Sequence, residues 1–148
     1  MKKKISFGLI IVFIAIQFIE TAHKTTPLDG SSDFIAQTKA PEAIQKILKT
    51  SCYDCHSNFT NTPWYGHIAP VSWYINHHIN EGREELNFSA WGSYQLKRKK
   101  YKIAECWEEI EKGKMPLKNY LVVHKAAKIS KENKKTLVAW LKSIDLTP

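Results

Sequence analysis

Two cysteines and a histidine stand close together in the chain, in the order Cys-x-x-Cys-His at Cys52, Cys55 and His56. This spacing is typical of the covalent attachment of a c-type haem. Two thiols separated by two residues can add to the two vinyl groups along one porphyrin edge, and the adjacent histidine then lies under the iron. We therefore predict one covalently bound haem c, with Cys52 and Cys55 as its thioether links and His56 as the proximal iron ligand.

Three other uses of these cysteines stay open at this point. Cys52 and Cys55 could form a disulfide, or they could be a thioredoxin-like redox pair, although no βαβ pattern surrounds them. A zinc site would need a further ligand, such as Cys106 or another histidine. Cys106 falls on the apolar side of a predicted helix, which favours a buried, inert thiol.

Met115 is our candidate for the distal iron ligand. It is the only methionine besides Met1, and the proline that follows it stiffens its loop. Thioether sulfur is a soft, neutral ligand that raises the haem potential. An open sixth position is one alternative, and a histidine ligand is the other. The candidate histidines are His67, His77, His78 and His124.

The segment after the motif contains two aromatic residues that could serve the same cofactor. Trp64 and Tyr65 follow Pro63, and we expect them to pack on the porphyrin or donate to a propionate, with ordinary packing in the protein as the alternative. Backbone carbonyls of this segment, positioned by Pro63 or Pro70, are expected to accept the second proton of the His56 ring.

Helices must position these residues, because apolar residues recur at helical spacing and no convincing strand is visible. The predicted helices cover residues 41–51, 70–86, 93–112 and 130–144, the last with Ser130 as its N-cap. The intervening segments, 52–69 and 113–129, are long for loops of a compact domain. We therefore predict an all-α, cytochrome c-like small domain over residues 40–148, wrapped around the haem.

The N-terminus differs in character from the rest of the chain. Three lysines are followed by an almost unbroken apolar run over residues 5–19, which predicts a signal peptide or an uncleaved membrane anchor over residues 1–20. Either function places the remainder outside the cytoplasm, in the periplasm, with attachment to the inner membrane if the segment is uncleaved. The polar, turn-rich residues 21–39 are expected to be a flexible tether.

The formal net charge is +8, yet no nucleic-acid-binding module is visible, and export makes nucleic acid an unsuitable partner. The basic run at Lys97-Arg98-Lys99-Lys100 and Lys102 is either a solvated helix face or a docking patch for an acidic redox partner protein.

The chain resembles the haem-binding-domain family of small exported proteins related to c-type cytochromes, over about residues 40–145. The resemblance implies an all-α fold, covalent haem and electron transfer. It rests on Cys52-Tyr53-Asp54-Cys55-His56-Ser57-Asn58, on the segments 60–65, 68–73, 81–83, 87–89 and 113–117, and on Trp91, Tyr120, His124 and Trp140.

These observations favour an extracytoplasmic carrier of single electrons, with no catalytic residue. The alternatives are a peroxidase-like haem enzyme or a gas or redox sensor, either of which needs an open or labile sixth iron position. The chain could also be one domain of a larger respiratory assembly.

Overall fold

The computed structural model describes residues 2–19, 21–22 and 30–146, and within them the regular structure is entirely helical. The all-α fold class predicted from the sequence is thus confirmed. The α-helices are α1 (Lys2–Ile16), α2 (Phe34–Thr38), α3 (Glu42–Ser51), α4 (Tyr53–His56), α5 (Val71–Glu85), α6 (Leu96–Glu111), α7 (Lys118–Val123) and α8 (Lys131–Ser143). Short 3-10 helices cover Gly30–Ser32, Trp64–His67, Phe88–Ser93 and Lys125–Ala127.

The four long helices predicted from apolar periodicity are confirmed as α3, α5, α6 and α8. Their ends carry the expected signals. The Ser130 hydroxyl accepts a hydrogen bond from the Asn133 amide at 3.1 Å and caps α8,. Gly113, just after α6, has φ of +69°, a conformation that glycine adopts without strain.

The prediction that residues 52–69 and 113–129 lack regular structure is wrong. The first segment contains α4 and the 3-10 helix Trp64–His67, and the second contains α7 and the 3-10 helix Lys125–Ala127. Each of these helices is six residues or shorter, so none shows two turns of apolar periodicity in the sequence. Helices this short are held by tertiary contacts, not by their own propensity.

The last part of the expected tether belongs to the folded domain. Phe34, at the start of α2, is 1% exposed, and its ring centroid lies 4.8 Å from that of Trp91 and 5.8 Å from that of Trp140. The Asp33 carboxylate caps α2 by accepting from the Ile35 amide at 2.9 Å. The polar residues that cap α2 thus give this core segment the composition of a linker. Residues 23–29 of the expected tether lie outside the described residues.

Replacing Phe34 by alanine is expected to lower the free energy of unfolding by about 3–5 kcal/mol, because a fully packed aromatic ring leaves a cavity. Urea unfolding followed by circular dichroism measures the change. Phe59→Ala is the matched control, since the Phe59 side chain is 67% exposed and its removal should change stability by no more than about 0.5 kcal/mol. Equal unfolding midpoints for the two variants would show that α2 is dispensable to the core.

The core is formed where α6 and α8 pack against each other and α3 packs across α8. Leu48, Leu137 and Leu141 are almost completely buried there. Apart from this core, α1 exposes most of its apolar side chains. Among the helices that the structure describes, none combines the length and the apolar character needed to cross a membrane.

Candidate functional site

The Cys-x-x-Cys-His motif lies in a sharp helical turn. Cys52 ends α3 and precedes α4, and its carbonyl oxygen accepts from the amides of Cys55 at 3.2 Å and His56 at 3.0 Å. Tyr53, inside the motif, is buried; its ring stacks on Phe88 at a centroid distance of 5.1 Å, and its hydroxyl donates to Asp33 at 2.8 Å. The turn is therefore fixed to the core from within the motif itself.

His56 is held by the C-terminal end of α5. Its Nδ1 atom lies 2.9 Å from the carbonyl oxygen of Gly82 and 2.9 Å from that of Leu86. The acceptors are thus not the carbonyls near Pro63 or Pro70 that the sequence suggested. A proton on Nδ1 satisfies these carbonyls, and Nε2 is then the nitrogen left to bind a metal ion.

Burial lowers the pKa of His56, partly offset by its hydrogen bonds to the Leu86 and Gly82 carbonyls. The ring is therefore neutral near pH 7, which is the protonation state that a metal-ligating histidine needs.

The three cysteines of the chain are all free, so no disulfide joins Cys52 to Cys55. Burial raises the pKa of Cys52 far above its ordinary value, that of Cys55 to about 11 and that of Cys106 to about 12. A redox-active cysteine pair of the thioredoxin type needs a lowered pKa, because the thiolate is the nucleophile. The electrostatics around these thiols therefore disfavour that alternative.

The zinc alternative gains no support either. Within residues 2–19, 21–22 and 30–146, no three or more His, Cys, Asp or Glu side chains are grouped so that they could hold a metal ion. The motif and its surroundings offer two thiols, one imidazole and one thioether. This set suits a haem better than a zinc ion, because the porphyrin itself holds the iron and the protein adds only axial ligands.

The motif residues and Met115 line common cavities. Cys52, Cys55, His56 and Met115 all border a cavity of about 480 Å³. A second cavity of about 210 Å³ has Cys52, His56 and Met115 in its wall as well, together with Cys106. The larger volume is in the range of cavities that bind cofactors, and the residues present fit a haem held from the Cys52–His56 side.

The loop after α6 brings Met115 to this cavity. The amides of Lys114 and Met115 both donate to the carbonyl oxygen of Glu109, at 3.0 and 3.3 Å. The left-handed conformation of Gly113 makes this reversal of the chain possible,. Met115 is partly buried and packs against the hydrophobic core, so its thioether is presented from a fixed loop.

Of the four histidines considered as distal ligands, His78 is the one that borders the cavity with His56 and Met115. Its Nδ1 atom lies 2.9 Å from the Tyr74 carbonyl oxygen. His124 lines a different cavity, one that also has Cys55 in its wall, and its Nε2 atom lies 3.1 Å from the Tyr65 hydroxyl. His77 pairs with Glu81 on the surface at 3.2 Å, and His67 is exposed.

Trp64 and Tyr65 have different environments in the structure, although their rings contact each other edge to face at a centroid distance of 5.7 Å. Tyr65 lines an apolar cavity of about 390 Å³ that also has Cys55 in its wall, so it shares a cavity with one of the two motif thiols. The Trp64 side chain is 76% exposed and borders none of the cavities that contain the cysteines. The geometry thus offers Tyr65, and not Trp64, for packing on a bound group.

Several polar residues that brace the motif belong to the sequence resemblance, but their structural role could not be read from the sequence. The Arg83 guanidinium donates to the Ser57 carbonyl and the Thr60 hydroxyl, each at 2.8 Å. The Tyr120 hydroxyl donates to the Asp54 carboxylate at 2.7 Å. This hydrogen bond connects α7 to one of the two residues that separate the cysteines. These contacts span 23 to 66 residues of chain, so no local pattern announces them.

Asn58, just after the motif, is hydrogen-bonded to the segment that precedes α6. The Asn58 amide donates to the Ser89 hydroxyl at 3.1 Å, and the Asn87 side-chain amide donates to the Asn58 side-chain carbonyl at 3.0 Å. The stretches Ser57-Asn58 and Asn87-Phe88-Ser89, which both carry the sequence resemblance, are therefore one structural unit.

Comparison with known protein families gives a match over most of the chain. The family model described as "Haem-binding domain" matches residues 11–143, a segment that begins inside α1 and ends at the last residue of α8. No curated protein and no solved structure matches the chain.

Proposed function

The chain belongs to the haem-binding domain family, and from this premise we propose that it is an extracytoplasmic monohaem protein of the c type that transfers single electrons. In this proposal Cys52 and Cys55 hold the haem by thioether bonds, His56 is the proximal ligand and Met115 the distal one. No residue has a catalytic role.

The observation that carries the proposal is the environment of His56. Its Nδ1 atom is occupied by two backbone carbonyls at 2.9 Å, so its tautomer and ring orientation are fixed before any metal binds. The same ring shares a cavity wall with both motif thiols and with Met115. The arrangement supports one iron held between an imidazole and a thioether.

The surrounding protein would have to bind, orient and shield the cofactor. A bound haem supplies an iron that takes up and releases one electron. Thioether links at Cys52 and Cys55 would retain it in both oxidation states, and the helical turn 52–56 would fix its edge. A ligand pair that changes little in position keeps the reorganisation on electron transfer small, which is why a rigid His56 and a loop-anchored Met115 suit a carrier.

The proposed location and partner rest on the sequence and on surface charge. Lys2–Lys4 followed by the apolar residues of α1 are typical of an export signal or anchor. At the start of α6 the basic run remains exposed at Lys97, Arg98 and Lys100 and could attract an acidic redox protein, chiefly by accelerating encounter. Lys102 does not belong to this patch, because it is buried and paired with Glu85 at 3.1 Å and Glu105 at 2.6 Å.

A second candidate function is a haem enzyme or sensor with a labile sixth position. The observation in its favour is the apolar cavity of about 390 Å³ beside Cys55, whose wall contains the hydrogen-bonded pair Tyr65 and His124. Such a pair could donate to a small ligand on iron. Rapid binding of carbon monoxide or cyanide by the unaltered protein would favour this candidate over the carrier.

Haem staining after denaturing electrophoresis tests the covalent attachment, with a pyridine haemochrome spectrum to identify the porphyrin. The full-length chain, matured in a host that exports c-type cytochromes, is expected to give a stained band at its own mass. The double variant Cys52→Ser/Cys55→Ser should lose the stain. Cys106→Ser, which removes the remaining buried thiol, should keep it. A stained double variant, or a colourless parent, would overturn the proposal.

A further inference from the structure

The apolar N-terminal helix is fastened directly to the domain. Just after α1, the Gln17 side chain accepts from the Ala69 amide at 2.9 Å and donates to the Ala69 carbonyl at 3.1 Å. The Trp73 indole donates to the Ile19 carbonyl at 3.1 Å, and the Asn76 side-chain amide donates to the Thr21 carbonyl. Gln17, Ile19 and Thr21 are thus fastened to the start of α5 and to the residue pair just before it.

Exposed apolar side chains surround this junction. Phe18, which is 82% exposed, and Ile19 follow α1. Ile68 and Val71, which are also exposed, lie next to Ala69 in the segment that leads into α5. We call these four residues the apolar rim. The rim continues the surface of α1, on which eight large apolar side chains from Ile5 to Ile14 are about half exposed or more. A continuous apolar surface of this kind is stable in water only when something covers it.

The length of α1 indicates what covers the rim. Its 15 residues span about 22 Å at 1.5 Å per residue, which falls short of a hydrocarbon core of roughly 30 Å. A membrane segment that is too short draws its flanking residues toward the lipid. Rim residues directly after the helix would supply that additional apolar length, and an indole at the junction suits the interface between lipid and water.

From these observations we infer that the domain is seated on the lipid bilayer through the apolar rim, with α1 embedded and α5 held at a fixed angle to it. The inference deepens the proposed function, since it rests on the N-terminal segment remaining attached. In this inference the junction at Gln17, Ile19 and Thr21 is rigid. Val71 belongs both to the rim and to the wall of the cavity that contains Cys55, so the seat would keep the haem cavity close to the lipid surface.

Spin labelling tests whether the apolar rim contacts lipid. The protein is the full-length, haem-loaded Cys106→Ser variant in vesicles of phosphatidylethanolamine and phosphatidylglycerol. Labels are placed at Ile68→Cys in the rim and, as the matched control, at Val122→Cys, an exposed apolar position on α7. The measurement is the ratio of collisions with oxygen, which concentrates in lipid, to collisions with a water-soluble nickel complex. We expect a several-fold higher ratio at position 68.

A variant of the junction distinguishes contact of the rim with lipid from anchoring by α1. Gln17→Ala/Trp73→Phe should still float with the vesicles, because α1 is intact, but the ratio at position 68 should fall to that at position 122. If the protein with the unaltered junction floats but gives equal collision ratios at positions 68 and 122, contact of the rim with lipid is overturned and the anchor is not. Shielding of position 68 from both reagents would indicate a second copy of the chain on the rim and would also overturn that contact. Loss of flotation in the parent would overturn the anchor together with the seat, while haem staining would be unaffected.

Discussion

Met115→Ala is expected to convert the bound haem from a six-coordinate, low-spin form to a form with an open or water-filled distal position. The thioether favours the reduced iron because it is neutral and soft. Its loss should therefore lower the reduction potential by roughly 0.1 V or more, within the range of about 0.8 V that axial ligands control. The ferric spectrum should become high-spin, and cyanide and carbon monoxide should bind faster than to the parent.

His78→Ala is the matched control for this experiment, because His78 is the histidine that shares the cavity of about 480 Å³ with Met115. We expect it to leave both the spectrum and the potential unchanged. The opposite pattern, with an unaffected Met115→Ala and an altered His78→Ala, would assign the distal position to the histidine. A parent protein that is already high-spin would instead favour the enzyme or sensor alternative.

The residues proposed to hold the haem could be selected from the sequence because their spacing is local. Cys52, Cys55 and His56 lie within five residues, a spacing that is typical of attachment to one porphyrin edge. The long helices were equally accessible, since α8 has both an N-cap serine and an apolar stripe. These features depend on neighbours in the chain, and local patterns are what a single sequence contains.

What the sequence could not provide are contacts between distant segments. The acceptors for His56 are backbone carbonyls 26 and 30 residues away, and a carbonyl oxygen leaves no trace in residue type. Phe34 was assigned to a tether because its neighbours are polar, although the ring fills the space between Trp91 and Trp140. Both errors arise because packing partners are set by the fold and not by local composition.

Gly82 illustrates how such a hidden contact constrains the site. It lies inside α5, where alanine would normally stabilise the helix by about 1 kcal/mol relative to glycine. A Cβ atom at this position, however, would lie 2.9 Å from the Cys55 carbonyl oxygen and 3.4 Å from the Cys55 Cβ. A backbone oxygen cannot rotate out of the way, so α5 and the motif turn would have to separate.

Gly82→Ala is therefore expected to destabilise the protein by up to about 2 kcal/mol, because overpacking of about 1–3 kcal/mol outweighs the gain in helix propensity of about 1 kcal/mol. The separation also moves the Gly82 carbonyl away from the His56 Nδ1 atom, so the yield of covalently bound haem should fall several-fold. Thermal unfolding and the pyridine haemochrome absorbance per chain measure the two effects.

Gly30→Ala is the control for the glycine substitution, since a Cβ atom at Gly30 would meet nothing within 4 Å. It should preserve both the melting temperature and the haem yield. A Gly82→Ala protein that melts at a higher temperature and retains full haem would mean that helix propensity outweighs packing and that α5 does not press against Cys55. Reduced stability with undiminished haem would instead mean that the close approach supports the fold but that His56 tolerates the loss of one of its two carbonyl partners. The sign of the stability change and the haem yield thus report separately on the packing of α5 and on the positioning of the proximal ligand.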